Sequence, residues 1–200
     1  GGATRGVFTS GVLDYLMERD IYFSDVTGVS AGSCNAVGYV AKQPERTKKC
    51  MIHRGKEYNY YYGLKGFIKE RSILDMDMIF DKMPNSLIPL DFDTYFHSGV
   101  HCEIVTTNCN TGKAEYLTED SDPQRLMMMC RASSSMPLVC PIVNVDGIPY
   151  LDGGLADSVP IKHVKERGAK KIVIILTRKK GYRKEKISKA HIELYRKMYS

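Results

Sequence analysis

Apolar residues recur at helical spacing in several parts of the chain. Side chains three or four positions apart lie on one face of a helix, where they can be buried together. The spacing predicts five helices, after Gly6 (Val12, Leu13, Leu16 and Met17), at 31–41, at 73–80, from Pro123 onward and at 160–167. Pro44 discourages the helix at 31–41 from continuing further.

β-branched residues and short apolar runs between these helices predict strands. They lie at 25–29, at "CEIVTT" from Cys102, at "AEYLT" from Ala114, on both sides of Asp146-Gly147, and at "KKIVIIL" ending at Leu176. A turn at 110–112 separates the second strand from the third, and the last run is typical of a buried parallel strand. Strands alternating with helices predict an α/β fold with a mostly parallel sheet covered on both faces. Sites in such folds gather at the carboxyl ends of strands.

One strand-to-helix junction carries a candidate nucleophile. The strand 25–29 runs into Gly28-Val29-Ser30-Ala31-Gly32, and a helix follows at once. In such an elbow Gly28 and Gly32 let two backbones cross closely, and the strained turn exposes the serine oxygen at the end of the sheet. The alternative is a serine that only caps the helix, between two packing glycines.

Composition limits the classes of protein that remain. The chain has 200 residues, 43% of them apolar, and no linker-like stretch, so we expect one domain over 1–200. The sequence has neither a membrane-length apolar run nor a signal-like leader, although it begins at Gly1, so we expect that a preceding segment was removed. Six cysteines without a C-x-x-C pair indicate reduced core thiols, a cytoplasmic protein and no structural zinc. The aromatic stretch 58–67 is ambiguous between helix and strand; its Tyr58, Tyr60, Tyr61 and Tyr62 are interpreted either as lining a lipid entrance or as packing residues.

Two further motifs contain adjacent glycines. "GGATRG" at 1–6 precedes an apolar helix and can surround negative charge with backbone amides, although its spacing is wrong for a dinucleotide fingerprint. Asp152 stands before Gly153 and Gly154, which on its own is most often a tight turn. The two motifs and the serine elbow therefore have to be considered together.

These motifs resemble the patatin-like phospholipase family in type, order and spacing, particularly its bacterial members. "TTNCNTGK" from Thr106, "RASSSMPLVCPI" from Arg131 and the stretch from Asp152 to about Arg178 are also similar to that family. The resemblance implies a three-layer α/β/α fold, lipid acyl hydrolysis by a Ser30-Asp152 dyad, and an oxyanion loop before the first helix. It also implies a strand before Gly1 and further helices after Ser200. Ala3 stands where the family usually has a third glycine, which is costly if that position needs a positive φ.

The chemistry that the resemblance implies can be stated residue by residue. Asp152 would take the proton of Ser30, with its pKa raised by desolvation from about 3.9, and no metal or cofactor is required. Arg5 either assists the oxyanion or forms a structural ion pair. The oxyanion would be stabilised by the backbone amides of Gly1, Gly2, Ala3 and Ala31. Gly6, Gly28, Gly32, Gly153 and Gly154 complete the motifs.

Three alternatives remain open. A Ser-Asp-His triad would use His163 or His191 as the base, although the predicted helix makes His163 more typical of a packed or surface residue. A non-catalytic lipid- or nucleic-acid-binding protein could keep the same fold. An acyltransferase would pass the acyl group to an alcohol instead of water.

Charge is distributed unevenly along the chain. Residues 165–200 carry thirteen Lys/Arg against three Asp/Glu, a net charge of +10, and because the whole chain carries +6 the remainder carries −4. This asymmetry favours peripheral contact with an anionic lipid surface; nucleic acid is not expected because no nucleic-acid fold signature accompanies the charge. The alternative is a solvated basic helix at 187–199.

Overall fold

The computed structural model describes residues 2–52, 55–62, 72–183 and 193. Seven helical segments of at least five residues occur within these ranges, and the one at Met78–Leu87 is a π-helix. Short 3₁₀ turns lie at Ala3–Arg5 and Lys56–Tyr58. The helices are α1 (Gly6–Met17), α2 (Ala31–Val40), α3 (Arg46–Met51), α4 (Met78–Leu87), α5 (Phe92–Phe96), α6 (Pro123–Ser133) and α7 (Ile161–Glu166).

Five strands form one mixed sheet. They are β1 (Asp25–Val29), β2 (His101–Asn108), β3 (Ala114–Leu117), β4 (Val143–Val145) and β5 (Ile148–Asp152). The strands β1, β2, β5 and β4 are hydrogen-bonded in that order, and β3 also pairs with β2. This confirms the α/β class.

Helices cover both faces of the sheet, as a three-layer α/β/α fold requires. Cys102 and Ile104 of β2 belong to the hydrophobic core, together with residues of α2 and α6. Side chains alternate between the faces of a strand, so Glu103 lies on the opposite face. There it contacts His163 of α7.

The sheet is mixed in the described residues. The β1–β2 pairing is parallel, as predicted, and β3 and the β4–β5 hairpin add the antiparallel pairings β2–β3, β2–β5 and β4–β5. One detail of the predicted sheet is wrong. The "KKIVIIL" segment forms no strand. Val173 and Leu176 are 62% and 59% exposed, and only Ile175 of the run packs against the core. A strand needs the hydrogen bonds of a neighbouring edge, and no described strand pairs with the second edge of β1.

The elements with local start or stop signals match their predictions. Asp122 caps α6 by accepting hydrogen bonds from the amides of Gln124 and Arg125, and Pro123 occupies the first turn, where its missing N–H costs nothing. Asp146 and Gly147 both have positive φ, as a two-residue hairpin requires. The helix predicted at 73–80 is displaced, because Leu74 forms an isolated bridge with Tyr61 and helical winding continues to Leu87. Of the ambiguous stretch, 63–67 lies outside the described residues.

Candidate active site

Ser30 occupies the turn between β1 and α2. Its backbone has φ 58° and ψ −130°, a conformation that non-glycine residues rarely adopt. A Cβ on Gly28 would lie 2.6 Å from the Gly32 carbonyl oxygen, so the strand and the helix can cross only because Gly28 has no side chain. Ser30 stands at the capping position of α2, but its hydroxyl makes no capping hydrogen bond. The structure therefore contradicts the capping interpretation and leaves the hydroxyl available for chemistry.

Ser133, at the end of α6, holds the strained turn in place. Its hydroxyl oxygen accepts a hydrogen bond from the Ser30 amide at 2.8 Å and donates one to the Val105 carbonyl at 2.6 Å. The Ser133 side chain is fully buried, so water cannot replace these bonds. Ser133 lies in "RASSSMPLVCPI", which carries part of the family resemblance, but no local pattern marks this serine as part of the site.

Asp152 is the last residue of β5 and is 6% exposed. One of its carboxylate oxygens accepts a hydrogen bond from the Gly154 amide at 2.7 Å, while its own amide donates to the Ser135 carbonyl at 2.9 Å. A Cβ on Gly153 would collide with the Val105 carbonyl. Glycine at 153 therefore allows the chain to turn tightly against β2 directly after Asp152, which determines the position of Asp152.

The sheet register brings Ser30 and Asp152 together. β1 pairs with β2 up to Val29–Val105, and β5 pairs with β2 from Thr106–Asp152 onward. The antiparallel partner β3 overlaps both regions of β2, so it occupies the opposite edge. β1 and β5 must therefore share one edge of β2 and meet end to end. Their meeting point lies between Val29, which Ser30 follows, and Asp152.

The glycine-rich loop reaches the elbow from the side of α1. Gly2 and Ala3 both have positive φ, 121° and 48°. Ala3 therefore adopts a strained conformation at the position where the family usually has a glycine. Ala3 and Ala31 line the same cavity as Ser30, whereas Arg5 lines a separate surface pocket with Phe8 and Leu176. Gly1 lies outside the described residues.

Asn35 ties this loop to the elbow. Its side-chain amide donates to the carbonyls of Gly6 at 3.2 Å and Ala31 at 2.9 Å, which links the first turn of α1 to the first turn of α2. Asn35 is 1% exposed. This contact could not be predicted from the sequence, because an asparagine inside a helix gives no signal of its partner on another helix.

A predominantly apolar cavity of about 140 Å³ opens beside Ser30. Tyr60 and Tyr61 line it; Tyr60 is buried, as the packing interpretation expects, and Tyr61 is exposed. Its most deeply buried lining residues include Val37, Met76, Phe80 and Cys130. The candidate nucleophile therefore borders a space suited to a hydrocarbon group.

His163 is engaged away from the elbow. Its Nε2 lies 2.9 Å from a carboxylate oxygen of Glu103, and its ring stacks on Tyr116. Arg167 also pairs with Glu103. Burial raises the pKa of Glu103, but the hydrogen bond and charge of His163 and the charge of Arg167 outweigh it and hold the pKa below its ordinary value. His191, the other candidate base, lies outside the described residues.

Within the part of the chain that the structure describes, no three His, Cys, Asp or Glu side chains are arranged to hold a metal ion. The described helices are all too short or too polar to cross a bilayer.

A serine on a strand-to-helix turn beside an apolar cavity places the chain among α/β proteins with a serine elbow at the end of a strand. Comparison with known families narrows this class. The sequence model of the family described as Patatin-like phospholipase matches residues 1–165, so the chain belongs to this family of lipid hydrolases. It is also 30% identical over 182 residues to Uncharacterized protein YjjU of Escherichia coli (strain K12). That match covers 88% of the chain, which spans about half the length of YjjU.

Proposed function

We propose that the protein is a serine lipid acyl hydrolase that uses Ser30 as nucleophile and Asp152 as base. The observation that supports this proposal is the end-to-end meeting of β1 and β5 on one edge of β2, because Ser30 follows the end of β1 and Asp152 is the last residue of β5. The apolar cavity beside Ser30 supports an acyl group as the part of the substrate that is bound.

The reaction proceeds in two halves. The Ser30 oxygen attacks the ester carbonyl carbon as Asp152 accepts the hydroxyl proton; the carbon–oxygen bond to the alcohol or lysolipid then breaks, and the leaving oxygen takes that proton. Water attacks the resulting acyl-enzyme, again losing a proton to Asp152, and releases the fatty acid as the Ser30 oxygen is protonated. Each half returns Asp152 to its carboxylate form.

The developing oxyanion needs backbone donors that are not already used. The Ser30 amide is occupied by Ser133, so we assign the Ala31 amide at the start of α2, where the helix dipole adds a positive end. Gly2 and Ala3 contribute amides from the loop that Asn35 holds against α2. Gly1 and Arg5 stay predicted contributors, and Arg5 would have to leave its surface pocket to reach the site.

Two substitutions and one label test the proposal. Ser30→Ala and Asp152→Asn should each lower kcat for p-nitrophenyl esters and a phospholipid by about three to four orders of magnitude. A fluorophosphonate should label the wild type but not Ser30→Ala, because the label bonds to the nucleophile. Full activity of either folded variant would contradict the dyad. Lipid binding that survives Ser30→Ala in a protein without turnover would instead favour the non-catalytic alternative.

The triad alternative is tested at His163. Because His163 pairs with Glu103, we expect His163→Ala to lower thermal stability while keeping most of kcat. The measurement is kcat/KM beside a melting curve, with Tyr116→Phe as the control for the network around His163. A loss of activity as large as that of Ser30→Ala would favour a Ser-Asp-His mechanism.

A further inference from the structure

The cavity beside Ser30 is enclosed on its inner side. Four of its apolar lining residues, Val37, Met76, Phe80 and Cys130, are between 1% and 7% exposed. They come from α2, from α6 and from 76–80, which includes the start of α4, so three parts of the chain close the inner wall. The more exposed lining residues include Tyr61 and Met136, at 47% and 37%. The cavity is therefore a pocket with a wall opposite its mouth.

The pocket walls are predominantly apolar. Seven lining residues carry sulfur: Cys34, Cys50, Met51, Met76, Met127, Cys130 and Met136. Burial raises the pKa of the Cys34 thiol to about 11 and that of Cys130 well above its ordinary value, so both thiols are neutral. The charged lining residue, Arg46, directs its guanidinium to the carbonyls of Ile88 and Pro89. The pocket therefore favours an uncharged hydrocarbon chain over a headgroup.

The pocket volume limits how much hydrocarbon can enter. An apolar cavity of about 150 Å³ accommodates benzene, a molecule of six carbons, and this pocket measures about 140 Å³. We propose that it binds the acyl chain of the ester and selects straight chains of about four to eight carbons. This inference rests on the proposed function, because it assumes that Ser30 is the nucleophile.

Substitutions at Met127 and Phe80 can change the length of acyl chain that the pocket accepts. Met127 lies on α6, is partly buried and lines the pocket, whereas its neighbour Met128 is 39% exposed and does not line it. Met127→Phe adds a rigid ring beside the acyl chain, and Phe80→Ala removes one from the inner wall. Met128→Phe makes the same chemical change as Met127→Phe on the solvent side of the same helix and is the matched control.

The experiment measures kcat/KM for p-nitrophenyl esters whose acyl chains have two to sixteen carbons, with each ester kept below the concentration at which it aggregates. We expect the wild type to peak at about four to eight carbons. Met127→Phe should move the peak to shorter chains and lower kcat/KM at the former peak about tenfold, the usual effect of one misplaced methylene, with little change for the acetate. Phe80→Ala should move it to longer chains, and Met128→Phe should match the wild type.

Several outcomes would overturn the inference. Activity that still rises at sixteen carbons in the wild type would do so, as would a uniform loss for all esters in Met127→Phe. Should the variants fail to fold, the rates at which short-chain and dodecyl fluorophosphonates label wild-type Ser30 test the same limit, and faster labelling by the dodecyl compound contradicts it. Absence of labelling by any fluorophosphonate would mean that the proposed function itself is wrong.

Discussion

The Ser133 hydroxyl determines which backbone amide near the nucleophile is free to act. It bonds to the Ser30 amide on one side and to the Val105 carbonyl on the other, with no exposure to water. A serine whose φ is 58° needs support of this kind, because the conformation is strained and persists only when its surroundings hold it. Ser133 is thus a positioning residue for the proposed reaction.

The substitution Ser133→Ala tests that role. It leaves one buried N–H without an acceptor and one carbonyl without its donor, which should cost about 1–3 kcal/mol of unfolding free energy. We expect kcat to fall while KM changes little, because the acyl pocket is retained and only the turn loosens. Steady-state kinetics and chemical denaturation measure both effects.

Ser135→Ala is the control for Ser133→Ala. Ser135 is equally buried, but its hydroxyl bonds to the Arg131 carbonyl one helical turn away. A Ser133→Ala protein that loses stability yet keeps the wild-type kcat would reduce Ser133 to a purely structural role.

At the scale of the element, the close crossing of β1 and α2 depends on the glycine at position 28. We expect Gly28→Ala to destabilise the protein by about 1–3 kcal/mol or prevent folding, because the added Cβ would press on the backbone of Gly32 and Ser33. Gly11→Ala is the contrasting change. Gly11 lies in α1 with nothing within 4 Å of its would-be Cβ, so alanine should stabilise the helix by about 1 kcal/mol. Thermal melting separates the two, and equal effects at both positions would contradict the crossing argument.

Elements with local signals could be predicted from the sequence, and long-range contacts could not. Asp122-Pro123 and Asp146-Gly147 define a helix start and a hairpin through their own backbone preferences. "KKIVIIL" is as apolar as a buried strand, but its state depends on an edge supplied from elsewhere. The same reason applies at the site. The motifs at Ser30 and Asp152 could be found by type and order, whereas the bond from Ser133 to Ser30 spans 103 residues and leaves no local pattern.

At the scale of the whole molecule, a partly exposed ion network couples stability to pH. Arg125 of α6 pairs with Glu119 before the helix and with Asp146 in the β4–β5 hairpin. Burial raises the pKa of Glu119, but hydrogen bonds from the amides of 120–122 and from Arg125 outweigh it and lower the pKa to about 2. The carboxylate form of Glu119 therefore stabilises the fold.

The expected pH dependence follows from that direction. A carboxyl whose folded pKa lies below its unfolded value stabilises the fold fully above about pH 4.3, and this contribution is lost as the pH falls toward 2. Unfolding free energy should therefore decline between about pH 5 and pH 2 as Glu119 is protonated, and Glu103 adds a decline in the same direction. Glu119→Gln should flatten the decline in denaturant titrations. An unchanged slope in that variant would assign the acid sensitivity to other groups.

The basic end of the chain suggests how the molecule meets its substrate. In the described part of this end, Lys170 and Lys171 are exposed beside the exposed aliphatic side chains of Val173 and Leu176. Cationic and apolar groups side by side suit a bilayer surface, where each basic residue contributes about 1 kcal/mol with anionic lipid. We propose that this surface draws the protein to anionic membranes.

Vesicle binding tests this proposal. The protein should bind vesicles containing phosphatidylserine and lose affinity as salt rises, because screening weakens surface attraction. Lys170→Glu combined with Lys171→Glu should weaken binding by about tenfold or more, since two favourable charges are reversed. The matched control reverses the charges of Lys48 and Lys49, two consecutive exposed lysines on α3, by substitution with glutamate. This variant should bind as the wild type does. Equal binding to neutral vesicles would refute the attraction, because an uncharged bilayer gives the basic residues nothing to recognise.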